Sequence, residues 1–353
     1  MSASHELLRL GRSWPIKGDS VLGHAPGRGA VSQAYAMLIP AARSVLEQLY
    51  FEALQLDGSN TILSAKIVDW CQRTHDYLVH VSRNEPTMIS QWQDLLLPYF
   101  MKGDFLRRCR EQPRGYAGDF RTIQMMYESR PLIYEEWPSA SDTFGRAVDG
   151  WAMNQPCPRA VRNRRRLVRD LIMKTRKEAG PAMHVVSLGC GPAAEVFDVV
   201  NLCDARFTLL DIDAEAVDFV NEKIRANHLE HRITVRRENV IKMALRNDIQ
   251  FTEPPSIVYS LGLIDYFSDE LVIRMLDYLY ESLGPGGVTY LGNFKPGHPN
   301  VALFEHALNW PLVLRSENEL LALINRSKFA KCRTSLGMEK EGIQLFVECH
   351  KPS

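Results

Sequence analysis

The sequence predicts an α/β fold, a doubly wound and mostly parallel sheet, preceded by an α-helical region. Three observations lead there. The stretch His184-Val-Val-Ser-Leu-Gly-Cys-Gly-Pro-Ala-Ala-Glu195 reads as a buried strand, a tight glycine turn and the start of a helix. About 20 residues on, Phe207-Thr-Leu-Leu-Asp-Ile-Asp213 reads as a second strand that ends in acids, the spacing of a dinucleotide-type βαβ unit. From His184 onward strands and helical patterns alternate, as a parallel sheet requires.

The composition sets the frame. The 353 residues leave room for one large domain or two ordinary ones. Hydrophobic residues make up 45% and charged residues 24%, ordinary for a globular protein. Lys+Arg and Asp+Glu balance at 42 each, so no global charge draws the chain to nucleic acid or to an anionic membrane. Neither a long apolar run nor a signal-peptide pattern is seen, and the expected location is cytoplasmic. The seven cysteines are scattered and read as free thiols. Without a CxxC pair or an HExxH motif, no metal site is expected.

Taken in order, residues 1–28 are rich in Gly, Pro and His and read as a loose arm. From Val31 to about Arg110 the pattern is helical: Tyr35, Leu38, Ile39, Val45, Leu46, Leu49 and Leu54 recur at helical spacings. After a Gly-Ser-Asn turn at 58–60 come Ile62, Leu63, Ile67, Val68, Trp70, Tyr77 and Leu78, and Pro86 opens a further helix toward Phe100. Residues 111–160 are punctuated by Pro113, Pro131, Pro138, Pro156 and Pro158 and hold Tyr116, Phe120, Tyr127, Tyr134, Trp137, Phe144 and Trp151. This segment is either a cap over a ligand site or a packed linker whose aromatics are core. A helix from about Arg159 to Glu178 follows. Its run Arg162-Asn-Arg-Arg-Arg166 is either an anion patch or a solvated face with packed stems. The expected domains are therefore an arm (1–28), an α-helical cap or lid (29–158) and a Rossmann-like domain (159–353). Its strands are expected at 184–188, 207–211, 232–236, 256–260, 287–292, 329–334 and 342–349, the last two joined by a short turn from Gly337 to Gly342 and antiparallel.

Gly189-Cys-Gly191-Pro-Ala-Ala194 also satisfies the G-x-G-x-x-(G/A) pattern of nicotinamide nucleotide sites, a weak signal by itself. Three features favour S-adenosylmethionine instead. Strand Ser256–Ser260 runs on into Leu-Gly-Leu-Ile-Asp-Tyr266, Leu283-Gly-Pro-Gly-Gly287 leads directly into a fifth strand, and an antiparallel pair closes the chain. Over residues 160–350 the sequence thus resembles a class I S-adenosylmethionine-dependent methyltransferase. That resemblance implies a seven-stranded Rossmann-like core. It places Ser187, Gly189 and Gly191 beneath the methionyl part of the cofactor, Asp211 on the ribose hydroxyls with Asp213 as second candidate, Asn239 and Val240 at the adenine, and Ser260 and Leu261 near the sulfonium. An Asp is commoner at position 239, and Ala193 stands for the third glycine, a substitution tolerated where φ stays negative.

A narrower resemblance extends to residues 30–350. Gln112-Pro-Arg-Gly-Tyr-Ala-Gly-Asp119, Met125-Met-Tyr127 and Ala160-Val-Arg-Asn-Arg-Arg165 resemble a bacterial clade of methyltransferases with a helical N-terminal extension. Its members include 3-hydroxy fatty acid methyl ester synthases. Methionine S-methyltransferases and enzymes that cyclise S-adenosylmethionine to azetidine-2-carboxylate are its relatives, so small-molecule biosynthesis and secondary metabolism are implied. Phe120-Arg-Thr-Ile-Gln124 departs from the methionine-rich run of the fatty-acid members, which argues against a long acyl substrate.

The same loop makes chemical sense by itself. Arg114 can hold a carboxylate in two-point fashion. Tyr116 can place a hydroxyl or a ring face near a sulfonium. Asp119 either holds an ammonium group or caps the helix from Phe120. Asp265, Tyr266 and Asn293 follow the fourth and fifth strands, where ligands bind in open α/β sheets, and either line the substrate side or make loop hydrogen bonds. A sulfonium needs in-line placement and exclusion of water more than acid–base help. Two reactions remain open: methyl transfer to an acyl carboxylate or an amino-acid sulfur or nitrogen, or attack by the cofactor's own amine with release of methylthioadenosine. A non-catalytic cofactor sensor is the third reading, against which the intact glycine motif speaks.

Overall fold

The computed structural model describes residues 28–55, 60–132, 142–179, 183–248 and 251–353. The expected arm up to residue 27, the turn residues Gly58 and Ser59, and Tyr134, Trp137 and Pro138 lie outside the described residues, as do the side chains of Tyr35 and Leu38. The chain divides into two compact units: Met1–Pro113 with Arg130–Met153 and Pro299–Trp310, and Arg114–Ser129 with Asn154–His298 and Pro311–Ser353. The division differs from a single boundary at 158. Arg114–Ser129 folds with the sheet unit because Arg114 and Tyr116 bond to Asp213.

The first unit is helical in its described part, as the spacing predicts, with helices at Arg28–Leu54, Thr61–Asn84, Ile89–Leu95, Leu97–Phe100, Asp104–Glu111, Thr143–Met153 and Val301–His306. Asn60 caps the second of these by accepting from the Leu63 N–H at 3.0 Å. Asp149 accepts from the N–H groups of Asp104 and Phe105, both at 3.0 Å, and so caps Asp104–Glu111 from a different helix. Phe144 and Trp151 are core residues here, Trp151 packing edge-on against Phe100 with ring centroids 5.2 Å apart.

In the second unit, seven strands among the described residues form one sheet. They are β1 (His184–Leu188), β2 (Arg206–Asp211), β3 (Ile233–Arg237), β4 (Ile257–Ser260), β5 (Val288–Phe294), β6 (Arg333–Met338) and β7 (Gln344–His350), ordered β3-β2-β1-β4-β5-β7-β6. The first five run parallel; β7 lies antiparallel between β5 and β6. Central strands β1, β4 and β5 are buried along their whole length, because helices cover both faces. Alternation sorts the side chains: Val185, Leu209 and Tyr259 pack beneath helix Pro156–Ala179 and its neighbours, whereas Val186, Leu210 and Val258 face helix Asp269–Ser282.

One strand lies elsewhere than expected. Instead of 329–334, β6 spans Arg333–Met338, and Gly337 pairs with Phe346 rather than turning. Phe329, which gave the apolar signal, is fully buried in the core, edge-on to Tyr280 with centroids 5.2 Å apart. The edge strand itself is largely exposed and carries little apolar pattern.

Candidate functional site

The sheet order reverses between β1 and β4, and in such folds the crevice at the strands' carboxyl ends takes the ligand. The local sequence builds a cradle there. Beyond β1 the chain turns through Gly189 at φ +65° and Gly191 at φ +51°, conformations that glycine adopts without strain. The N–H groups of Gly189 and Cys190 donate to Leu210 O at 2.8 and 3.0 Å, which pins the turn to β2. Ala193 also has a positive φ, +49°, so the expectation of a negative φ at this position is corrected. The chain tolerates an alanine in the left-handed region here, at a cost of about 1–2 kcal/mol.

Asp211, the last residue of β2, faces this turn. Its Oδ2 accepts from Gly191 N at 2.8 Å and its Oδ1 from Asp213 N at 3.0 Å. Burial pushes this carboxyl up, against the pull of those N–H groups. Each oxygen keeps acceptor capacity, as a contact to a diol needs.

Asp213 has a different task. It caps helix Ala214–Ala226 through Glu215 N at 3.0 Å. Arg114 grips it with Nη2 at 2.7 and 2.8 Å, and the Tyr116 hydroxyl donates to its Oδ2 at 2.6 Å. Burial raises Asp213, but the bonds from Tyr116 and Arg114 and the Arg114 charge outweigh it, and the carboxyl titrates below its usual range. Burial, and then the bond to Asp213, pushes the Tyr116 phenol up, so it stays protonated. The loop 114–119 is thereby tied to the end of β2, with Gly115 and Gly118 at φ +82° and +70° shaping it. The Arg114 guanidinium also lies over the Phe120 ring, 5.1 Å from its centroid.

The other expected residues fall as follows. Asp119 is buried and caps helix Phe120–Glu128, accepting from Arg121 N at 2.9 Å and Thr122 N at 3.2 Å, so the capping alternative is the one realised. Asn239 likewise caps helix Val240–Arg246 through Lys242 N at 3.0 Å, and Val240 is buried. Ser187 is buried within β1. The Ser260 hydroxyl donates to Leu188 O at 2.8 Å, joining the ends of β4 and β1. Leu261 is buried, and its carbonyl accepts from Arg164 Nη1 at 2.9 Å and Gln344 Nε2 at 2.8 Å. Tyr266 is 45% exposed, its hydroxyl 3.4 Å from Ala117 O in the 114–119 loop.

Asn293 and Asp265 sit inside the protein and not on a substrate face. Asp265 Oδ1 accepts from Asn293 Nδ2 and from Phe294 N, both at 2.7 Å. Burial pushes the Asp265 carboxyl up to about 7. Arg315, which sequence reasoning passed over, closes the cluster with bonds to Asn293 Oδ1 (2.8 Å), Ile264 O (2.9 Å) and Phe267 O (2.6 Å). Nothing local marks Arg315, since its partners come from two distant segments, 264–269 and β5. Arg164 was also missed as an individual, being read only as part of the arginine run. Its spacing from Ala160, Val161 and Val168 would have placed it on the buried helix face. The rest of the run differs: Arg165 pairs with Asp198 at 2.6 Å and Arg166 is exposed. Glu195, just after the glycine turn, is buried and accepts from the Tyr259 hydroxyl at 2.8 Å. No helix of the described residues is long and apolar enough to cross a membrane.

Comparison with known proteins gives a family. Over residues 126–343, well over half of the chain, the sequence matches the family described as “Putative methyltransferase”. The uncharacterized protein YnbC of Escherichia coli (strain K12) is 25% identical over 218 residues, covering 58% of this chain and 37% of that one. The chain thus spans little more than a third of that curated relative's length. Among solved structures, a “possible exported protein” from Bordetella parapertussis is 16% identical with a TM-score of 0.53, over 93% of this chain and 100% of that one, which bears on the fold alone. N-methyltransferase NodS from Bradyrhizobium japonicum WM9, in complex with S-adenosyl-l-homocysteine, is more distant: 13% identical, TM-score 0.38, over 53% of this chain and 87% of that one.

Proposed function

The chain belongs to that methyltransferase family, and we propose that it transfers a methyl group from S-adenosylmethionine to a small molecule, an acyl carboxylate or an amino-acid sulfur or nitrogen. The observation that carries the choice of donor is Asp211. A half-buried carboxylate at the end of β2, bonded to the N–H of the β1 glycine turn, is placed to accept from ribose hydroxyls. The turn supports this reading: a Cβ added at Gly189 would meet no atom closer than 3.8 Å, which leaves room for a ligand beside the backbone.

When bound, the sulfonium supplies an already activated methyl group. The chain's own residues then bind, orient and exclude water. Asp211 fixes the ribose, and Ser260, tied to Leu188, holds the ends of β4 and β1 in register. Arg114 and Tyr116 position the 114–119 loop through Asp213, with Asp119 setting the start of the following helix. Tyr116 stays protonated and offers a ring face and no base. Tyr266 lines the acceptor side, and Asn293 supports the end of β5.

The test is incubation of the protein with S-adenosylmethionine, alone and with added acids, amines and thioethers, followed by mass spectrometry. The expected result is an intact donor when alone and S-adenosylhomocysteine once an acceptor is present. Methylthioadenosine with a four-carbon amino acid, formed without an acceptor, overturns methyl transfer in favour of cyclisation.

A further inference from the structure

Helix Pro156–Ala179 turns Arg164 inward, where it is 6% exposed. Its Nη1 donates to Leu261 O at 2.9 Å, directly beyond β4. Its Nε is buried and has no hydrogen-bond partner. Among the described residues no carboxylate lies within ion-pair distance of it.

The carboxylates facing this guanidinium, Glu195 and Asp265, act on it through space and not as direct ion pairs. Glu195 accepts from Tyr259, and burial pushes its carboxyl up. Asp265 makes no ion pair with it, and its Oδ1 is taken by Asn293 and Phe294. Arg165 adds a like charge, though one committed to Asp198. An arginine does not shed its proton, and a buried charge without a partner is strongly unfavourable. Such a side chain persists where something else completes it.

Two further features lie at the same place. Gln344 donates to the same Leu261 carbonyl at 2.8 Å, while its own Oε1 is buried with no partner. Gly262 follows, and a Cβ there would stand 3.1 Å from Arg164 Nη1, so any other residue would crowd the guanidinium. A buried cation, an unmet amide oxygen and a missing side chain thus meet beyond β4.

We propose that Arg164 receives a ligand carboxylate at the carboxyl end of β4, with Gln344 Oε1 accepting from an accompanying ammonium or hydroxyl group. The proposal rests on the reading of this sheet edge as the donor site. Two sources share the chemistry, the amino-acid end of the donor and the carboxylate of an acceptor.

Calorimetry on the full chain separates them. The probes are S-adenosylhomocysteine, methylthioadenosine, which lacks the amino-acid carboxylate, and octanoate added to the S-adenosylhomocysteine complex. If the donor's carboxylate is held, Arg164→Gln weakens S-adenosylhomocysteine by about tenfold or more and leaves methylthioadenosine unchanged. If the acceptor's is held, both nucleosides bind as before and octanoate binding is lost. Arg164→Lys, which keeps the charge without the planar fork, gives an intermediate loss and serves where the glutamine variant fails to fold. A variant that matches the parent toward all three probes overturns the proposal. A parent that binds neither nucleoside overturns the donor-site reading itself, and the Arg164 proposal with it.

Discussion

Two clusters in the sheet unit are built from the same parts, an aspartate, an arginine and a hydrogen-bonding neighbour at the end of a strand, yet they do different work. At the end of β2, Arg114 and Tyr116 converge on Asp213, and Tyr116 is 41% exposed. Beyond β4 and β5, Asp265, Asn293 and Arg315 converge with at most 2% exposure each. In the buried cluster the bonds end on protein: Arg315 alone holds the carbonyls of Ile264 and Phe267 and the Asn293 amide. Near the exposed one, Asp211 has only backbone N–H partners among the described residues and keeps acceptor capacity toward the crevice. An acid at a strand end therefore does not by itself mark a ligand contact. Where its lone pairs already go decides the matter.

The sharpest way to separate the two is to cut each. Arg315→Ala leaves three buried acceptors and removes one of the two arginine charges that act on Asp265, so a loss of about 3–5 kcal/mol in stability is expected. Thermal melting reads it directly, and S-adenosylhomocysteine affinity of the folded fraction should hold. A melting point within a degree or two of the parent would remove the structural role given to this cluster. Asp211→Ala should do the reverse. Water can reach the N–H groups it leaves, so stability changes little, while S-adenosylhomocysteine binding weakens by about 10–100-fold, or roughly 1.4–2.7 kcal/mol. Unchanged affinity by calorimetry would take the ribose contact away from Asp211.

How far the sequence carried this distinction follows from range. The glycine turn, the acid after β2 and the alternation of strand and helix are local patterns, and the sheet has the expected strands with β6 displaced by four residues. The caps were local too: Asp119 stands just before an apolar helical run, and its alternative as a cap was open from the start. The role of Asn293 was not legible, because its partners Asp265 and Arg315 lie 28 and 22 residues away and only tertiary packing joins them. Nor was the pairing of Arg114 with Asp213, 99 residues apart, although each residue was singled out separately. Ala193 shows a third limit, since a residue type alone does not give the sign of φ, and the surrounding turn holds this one at +49°.

The smallest expected effect tests how the exposed cluster shares its task. Tyr116 and Arg114 both bond to Asp213, but Arg114 does so through several N–H groups and carries charge. Tyr116→Phe removes only the 2.6 Å bond, at a site where water can replace it. The loss is expected near or below about 1 kcal/mol. Hydrogen exchange over residues 114–119 should then quicken by less than about tenfold, with melting point and S-adenosylhomocysteine affinity unmoved. The ring keeps its place because Arg114 still holds the loop. If exchange instead rose as far as in Arg114→Gln, the hydroxyl and not the guanidinium would be what fastens this loop to β2. The contrast with Arg315, where one arginine is irreplaceable, would then turn on the tyrosine and not on burial.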